Sequence, residues 1–87
     1  MNSVEKKILF EQIIAMYKKV YVHKLYPVES AERDLEVFFG RKIDKKTLKE
    51  VGKERGVGVE RARGIEAQVI RRLSFIVEKK LKLKGLY

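Results

Sequence analysis

The sequence predicts an all-α domain of about four helices, and three observations predict it. Apolar residues recur every three or four positions, no β-like alternation of useful length appears, and proline, glycine and capping residues divide the chain into four helical segments. With 87 residues and no linker, repeat or low-complexity tract, residues 1–87 read as one small domain with a modest core.

The first helix is expected from Val4 to about Lys24. Ser3 can cap it, with Glu5 in the opening turn, and Leu9, Phe10, Ile13, Ile14, Met16, Tyr17, Val20 and Tyr21 form an apolar stripe about half the helix wide. That face is wider than so small a domain needs. Tyr17, Tyr21 and Tyr26 are either core aromatics with hydroxyls at the rim or part of a partner site. Pro27 stops the element. Ser30 can cap a second helix, Ala31 to Phe39, whose core residues are Leu35, Phe38 and Phe39 and whose end is Gly40. Arg41 to Lys46 is a short basic connector.

Thr47 and Glu50 have the spacing of a reciprocal capping box, so a third helix starts at Leu48. Leu48 and Val51 share a face, and Gly52, lacking a Cβ, lets another helix approach. Gly56 ends this helix in a left-handed conformation, Val57 plugs the turn, and Gly58 takes the N-cap slot of a fourth helix, with Glu60 in its first turn. Ala62, Ile65, Val69, Leu73 and Ile76 make that helix's buried stripe. The other face carries Glu60, Arg63, Gly64, Ala67 and Arg71, which can reach base edges or phosphates in a major groove. A solvated charged face is the bland alternative for an Arg-rich helix, but a capped helix and glycine turn directly upstream favour a helix-turn-helix over residues 47–73. In the basic tail, 78–87, Lys79, Lys80, Lys82 and Lys84 either track phosphates or keep a helix end soluble, and Phe75, Leu83, Leu86 and Tyr87 pack on the first helix or on another molecule.

This segment resembles the C-terminal promoter-binding region, region four, of bacterial sigma factors of the sigma-70 family. The matching residues are Thr47, Leu48, Glu50, Val51, Gly52, Glu54, Gly56, Val57, Glu60, Arg61, Arg63, Ile65, Glu66, Ala67, Arg71 and Leu73, and Pro27 to Gly40 is similar to the family's preceding helix. The resemblance implies a DNA-binding module of transcription initiation or its regulation, with double-stranded promoter DNA held by Val59, Glu60, Arg61, Arg63, Gly64, Ala67, Arg71 and Arg72. It also implies docking on the RNA polymerase β flap, with Val37, Phe38, Leu48 and Val51 the nearest candidates, or on an anti-sigma or sigma-like partner. Where the family usually has an aromatic stands Arg55, which must snorkel outward or leave a smaller core. Ala62 replaces a larger aliphatic. The family's threonine cap, first base-contacting arginine and glutamine are here Gly58, Val59 and Gly64, which weakens or changes the usual minus-35 readout. A protein-interaction module, serving as decoy, regulator or split sigma subunit, is therefore the alternative. A dimeric helix-turn-helix repressor is a weaker third.

Composition agrees. Residues 1–40 hold six Lys/Arg against six Asp/Glu, and residues 41–87 hold fifteen against six, so the whole net charge of +9 lies in the half with the proposed helix-turn-helix. Lys/Glu richness with only three amides, Asn2, Gln12 and Gln68, also fits a heat-adapted protein. Without cysteine, and with His23 the one histidine, neither a disulfide nor a zinc site is expected. No nucleophile stands beside a plausible base, no phosphate-cradling glycine loop precedes a lysine, and no carboxylate cluster has metal spacing, so no enzyme, cofactor or small-molecule substrate is expected. No apolar run approaches the roughly 18 residues of a membrane span, and no secretory signal is evident, so a cytoplasmic protein is expected. The start methionine and complete-looking first helix favour a stand-alone chain.

Overall fold

A computed structural model describes residues 2–83, with side chains through Lys79. It is all-helical, as expected: α1 (Ser3–Tyr21), α2 (Val28–Lys42), α3 (Leu48–Arg55) and α4 (Val59–Leu83). The side chains of Lys80, Lys82 and Leu83, and the whole of Lys84, Leu86 and Tyr87, lie outside the described residues.

Four boundaries differ from the sequence reading. Asn2, not Ser3, caps α1, its side-chain oxygen accepting from the Glu5 amide at 2.8 Å. The helix stops at Tyr21 rather than Lys24 because residues 23–26 form a tight turn: the His23 and Tyr26 backbones exchange two hydrogen bonds of 3.1 and 3.0 Å, and His23 Nδ1 accepts from the Leu25 amide. Pro27 occupies the N-cap of α2 instead of merely ending α1, placing Ser30 inside the helix. That helix runs through Gly40, which is a packing glycine: a Cβ there would lie 2.9 Å from Val51 Cγ2.

The α3 reading holds in detail. Thr47 Oγ1 accepts from the Glu50 amide, and Glu50 Oε1 accepts from the Thr47 amide at 3.0 Å. Gly56 closes the helix at φ 68°. Gly52 has a different reason from the one expected. The atom nearest a Cβ there is the carbonyl oxygen of Val57, at 2.6 Å, so the chain's own turn into α4 folds back against it.

Helix α2 is central and packs against the other three, while α3 also packs on α4. Tyr17, Leu35, Val37, Val51 and Val69 are fully buried at the centre, joined by Ile14, Ala31, Ala62 and Ile65. Each large apolar side chain closed off from water contributes roughly 1.5–3 kcal/mol. Arg55 snorkels out, as expected, and its guanidinium lies 2.7 Å from Glu36. Among the described residues, no helix is long and apolar enough to cross a membrane.

The glycines provide a test by thermal unfolding. Gly52→Ala forces a Cβ into backbone and is expected to destabilise by about 2 kcal/mol or more. Gly64→Ala, at an exposed helical site where a Cβ meets nothing within 4 Å, is expected to stabilise by about 0.5–1 kcal/mol.

Candidate nucleic-acid interface

Helix α4 divides lengthwise. Ala62, Ile65, Val69 and Ile76 are buried and Leu73 half-buried, whereas Val59, Glu60, Arg61, Arg63, Gly64, Ala67 and Arg71 are exposed along the amino-terminal half. The expected stripe and its opposite face are thus both present. On that face Arg63 Nη1 donates to Glu60 Oε1 at 2.7 Å, one turn away. Arg61 and Arg71 have no ion-pair partner among the described residues. Neither do Lys45, Lys49 and Lys53, exposed at four-residue spacing on the connector and α3.

Arg72 is not part of that face. Its guanidinium points inward, 4.7, 4.9 and 6.0 Å from the ring centroids of Tyr26, Tyr21 and Tyr17. Its Nη1 donates to the Tyr17 hydroxyl at 2.8 Å. The Tyr17 and Tyr26 hydroxyl oxygens are 3.0 Å apart, and the Tyr26 hydroxyl donates to Asp34 Oδ2 at 2.6 Å. Because Tyr26 commits its one proton to Asp34, Tyr17 must be the donor to Tyr26, and the chain runs one way from guanidinium to carboxylate. Burial and the hydrogen bond to Asp34 push the Tyr26 phenol well above its ordinary value, keeping it neutral. Burial also raises Tyr21, against the opposing charge of Arg72, and the Tyr21 hydroxyl donates to the Arg72 carbonyl. Tyr17 is a core aromatic and Tyr21 and Tyr26 are half-buried, and all three hydroxyls are hydrogen-bonded within the fold.

Val37 and Val51 are likewise corrected. They are 0% and 1% exposed, closed off between α2 and α3, and offer no surface to a partner. Of that candidate set Phe38 and Leu48 remain half-buried at the edge.

The residue-type reading missed a second polar clamp. Glu66, 8% exposed, receives Arg41 Nε at 2.9 Å and lies 3.1 Å from Lys42 Nζ, tying α4 to the end of α2. Burial alone would raise its carboxyl, but the hydrogen bonds from Arg41 and Lys42 outweigh that and hold it below the ordinary carboxylate value. The available signal was a glutamate one position from Ile65 on the buried stripe, with two cations, Arg41 and Lys42, directly after the second predicted helix. Among the described residues no group of His, Asp and Glu could hold a metal ion.

Comparison with family models, with curated proteins and with solved structures finds no match.

Two outcomes follow from these clamps. Arg72→Met is expected to lower stability by about 2 kcal/mol, a drop of roughly 10 °C in Tm, while leaving the salt dependence of any DNA binding unchanged, which a phosphate ligand would not do. For Glu66 the folded pKa is depressed, so its contribution is complete above about pH 4.5 and is lost as pH falls through the lower folded value. Glu66→Gln should cost about 1–3 kcal/mol at pH 7 and flatten the fall of Tm with acid below pH ~4.5, measured by thermal melts from pH 3 to 7.

Proposed function

We propose that the chain is a helix-turn-helix module that binds double-stranded DNA through the amino-terminal half of α4, with α3 and its connector beside the phosphate backbone. The observation that carries this reading is the division of α4: one side closes the core, and the other is exposed from Val59 to Arg71 with nothing of the fold depending on it. That span is about 18 Å of helix, enough to lie along a major groove. Arg61, Arg71, Lys45, Lys49 and Lys53 are free to neutralise phosphates, since no carboxylate among the described residues engages them. Arg63 is the base reader of the set. Its pair with Glu60 is solvent-exposed and worth only about 0.2–0.5 kcal/mol, so it opens readily for a guanine edge.

The resemblance of residues 47–73 to sigma region four gives this binding a place in transcription initiation or its regulation, with promoter DNA as ligand. Docking on RNA polymerase or an anti-sigma partner is the less favoured reading because two of its four apolar candidates, Val37 and Val51, are closed in the core.

Titration against duplex DNA over a range of salt tests the proposal. Binding should weaken with salt at about 0.9 log units per log unit for each phosphate neutralised, and Arg63→Ala should cost about 1–3 kcal/mol on the preferred sequence and relax selectivity there. Binding to the isolated polymerase flap with only weak, sequence-uniform DNA affinity would overturn it.

A further inference from the structure

Beside the reading face a cleft of about 440 Å³ opens between the first turns of α2 and the middle of α4. Gly64 lies at its α4 wall, and because a Cβ there would meet nothing within 4 Å, the glycine leaves the space open.

The groups around the cleft are mostly donors. Arg61 and Gln68 come from α4, and Ser30 and Arg33 from α2. Asp34 is the one carboxylate, and it faces the cleft with both oxygens used: Oδ1 accepts from Arg33 Nη2 at 3.1 Å and Nε at 3.3 Å, and Oδ2 accepts from Tyr26. Arg33 keeps its Nη1 hydrogens and one on Nη2. Its side chain is 34% exposed, and Arg61 is exposed with no ion-pair partner among the described residues. With Arg33 and Asp34 cancelling, Arg61 leaves the cleft with one net positive charge, two guanidiniums, a hydroxyl and an amide.

We propose that this cleft binds a phosphate group, supplied by the sugar-phosphate backbone of the DNA strand that borders the groove occupied by α4. The assignment rests on the DNA-binding reading above and extends it to α2. Arg61 and Arg33 hold the phosphate oxygens from opposite walls, Ser30 and Gln68 donate to those remaining, and Gly64 admits the strand close to the helix. A planar guanidinium suits this task because it presents parallel N–H groups to two oxygens of one phosphate.

Two variants and two ligands test it. Arg61→Gln removes an exposed charge that supports nothing in the fold, and the double variant Arg33→Gln with Asp34→Asn removes the second guanidinium while leaving the net charge unchanged. In fluorescence-anisotropy titrations with duplex DNA, Arg61→Gln is expected to reduce the salt slope by about 0.9, the value for one phosphate. The double variant, if its melt shows it folded, is expected to weaken low-salt binding about tenfold. DNA binding with slope and affinity unchanged in Arg61→Gln overturns the proposal, whether or not the double variant folds. If the native chain binds no duplex, the DNA-binding reading fails, and inorganic phosphate alone then decides the cleft. Saturable amide shifts at Ser30, Gly64 and Gln68 that are absent in Arg61→Gln would keep a phosphate site but replace its source with a free anion. No such shifts would overturn the site itself.

Discussion

The hydrogen-bonded chain from Arg72 through Tyr17 and Tyr26 to Asp34 is the constraint that sets the arrangement of the long helices. Asp34 is only 3% exposed, and a buried carboxylate is tolerated only when its lone pairs are met. Tyr26 and Arg33 meet them, Tyr17 satisfies Tyr26, and Arg72 satisfies Tyr17, so each link depends on the next. The four main members come from α1, the 23–26 turn, α2 and α4. Apolar packing tolerates small slips between helices because dispersion is not directional, whereas an ordered run of hydrogen bonds fixes both distance and angle. The network therefore supplies register as well as stability, and the guanidinium over the tyrosine rings adds attraction that would be weaker in water.

A second attachment lies six residues earlier on α4, about 9 Å along its axis, where Glu66 meets Arg41 and Lys42. Two polar anchors on one helix prevent it from both sliding and rolling. The third fixed point is steric: Val51 seated against Gly40 holds α3 on α2, and the Val57 carbonyl seated against Gly52 sets how α3 turns into α4. With α4 held at these points, its outward face has a defined direction relative to α3. That precondition matters for any ligand gripped by both helices, because loosely held side chains must be ordered at the moment of binding.

What was legible in the sequence was what local chemistry decides. The Thr47/Glu50 box, the left-handed Gly56 and the Ala62 to Ile76 stripe each rest on residues within a few positions of one another, and each appears in the structure. What depends on distant partners was not legible. Arg72 looks on paper like one more cation beside Arg71, since nothing local says that three tyrosines converge on it and that two of them lead on to a buried aspartate. Val37 and Val51 are apolar whether they line a concavity or close a core, and only the packing of α2 on α3 separates the two. Of the candidate DNA-contacting residues, seven of the eight lie exposed on one side of α4, because helical periodicity alone sorts them, and the eighth is lost to a long-range network. Arg33, Ser30 and Gln68 were missed for the same reason: the cleft they share exists only once α2 and α4 are side by side.

On the proposed reading, the exposed face is better equipped to hold a duplex than to read it. Valine at 59 and glycine at 64 offer no hydrogen bond to a base edge, and Glu60 is the partner of Arg63, the remaining reader. The unengaged charge instead sits where it would meet phosphates: Arg61 and Arg71 on α4, with Lys45, Lys49 and Lys53 alongside. Phosphate contacts position a protein without distinguishing sequences, and they make affinity fall steeply with salt. A face so divided would draw most of its binding energy from counterion release and concentrate its discrimination at Arg63. Gly64 then changes meaning. Its missing side chain removes one possible base contact but allows a backbone to approach α4 closely, so the same residue that thins the readout can deepen the hold on the strand.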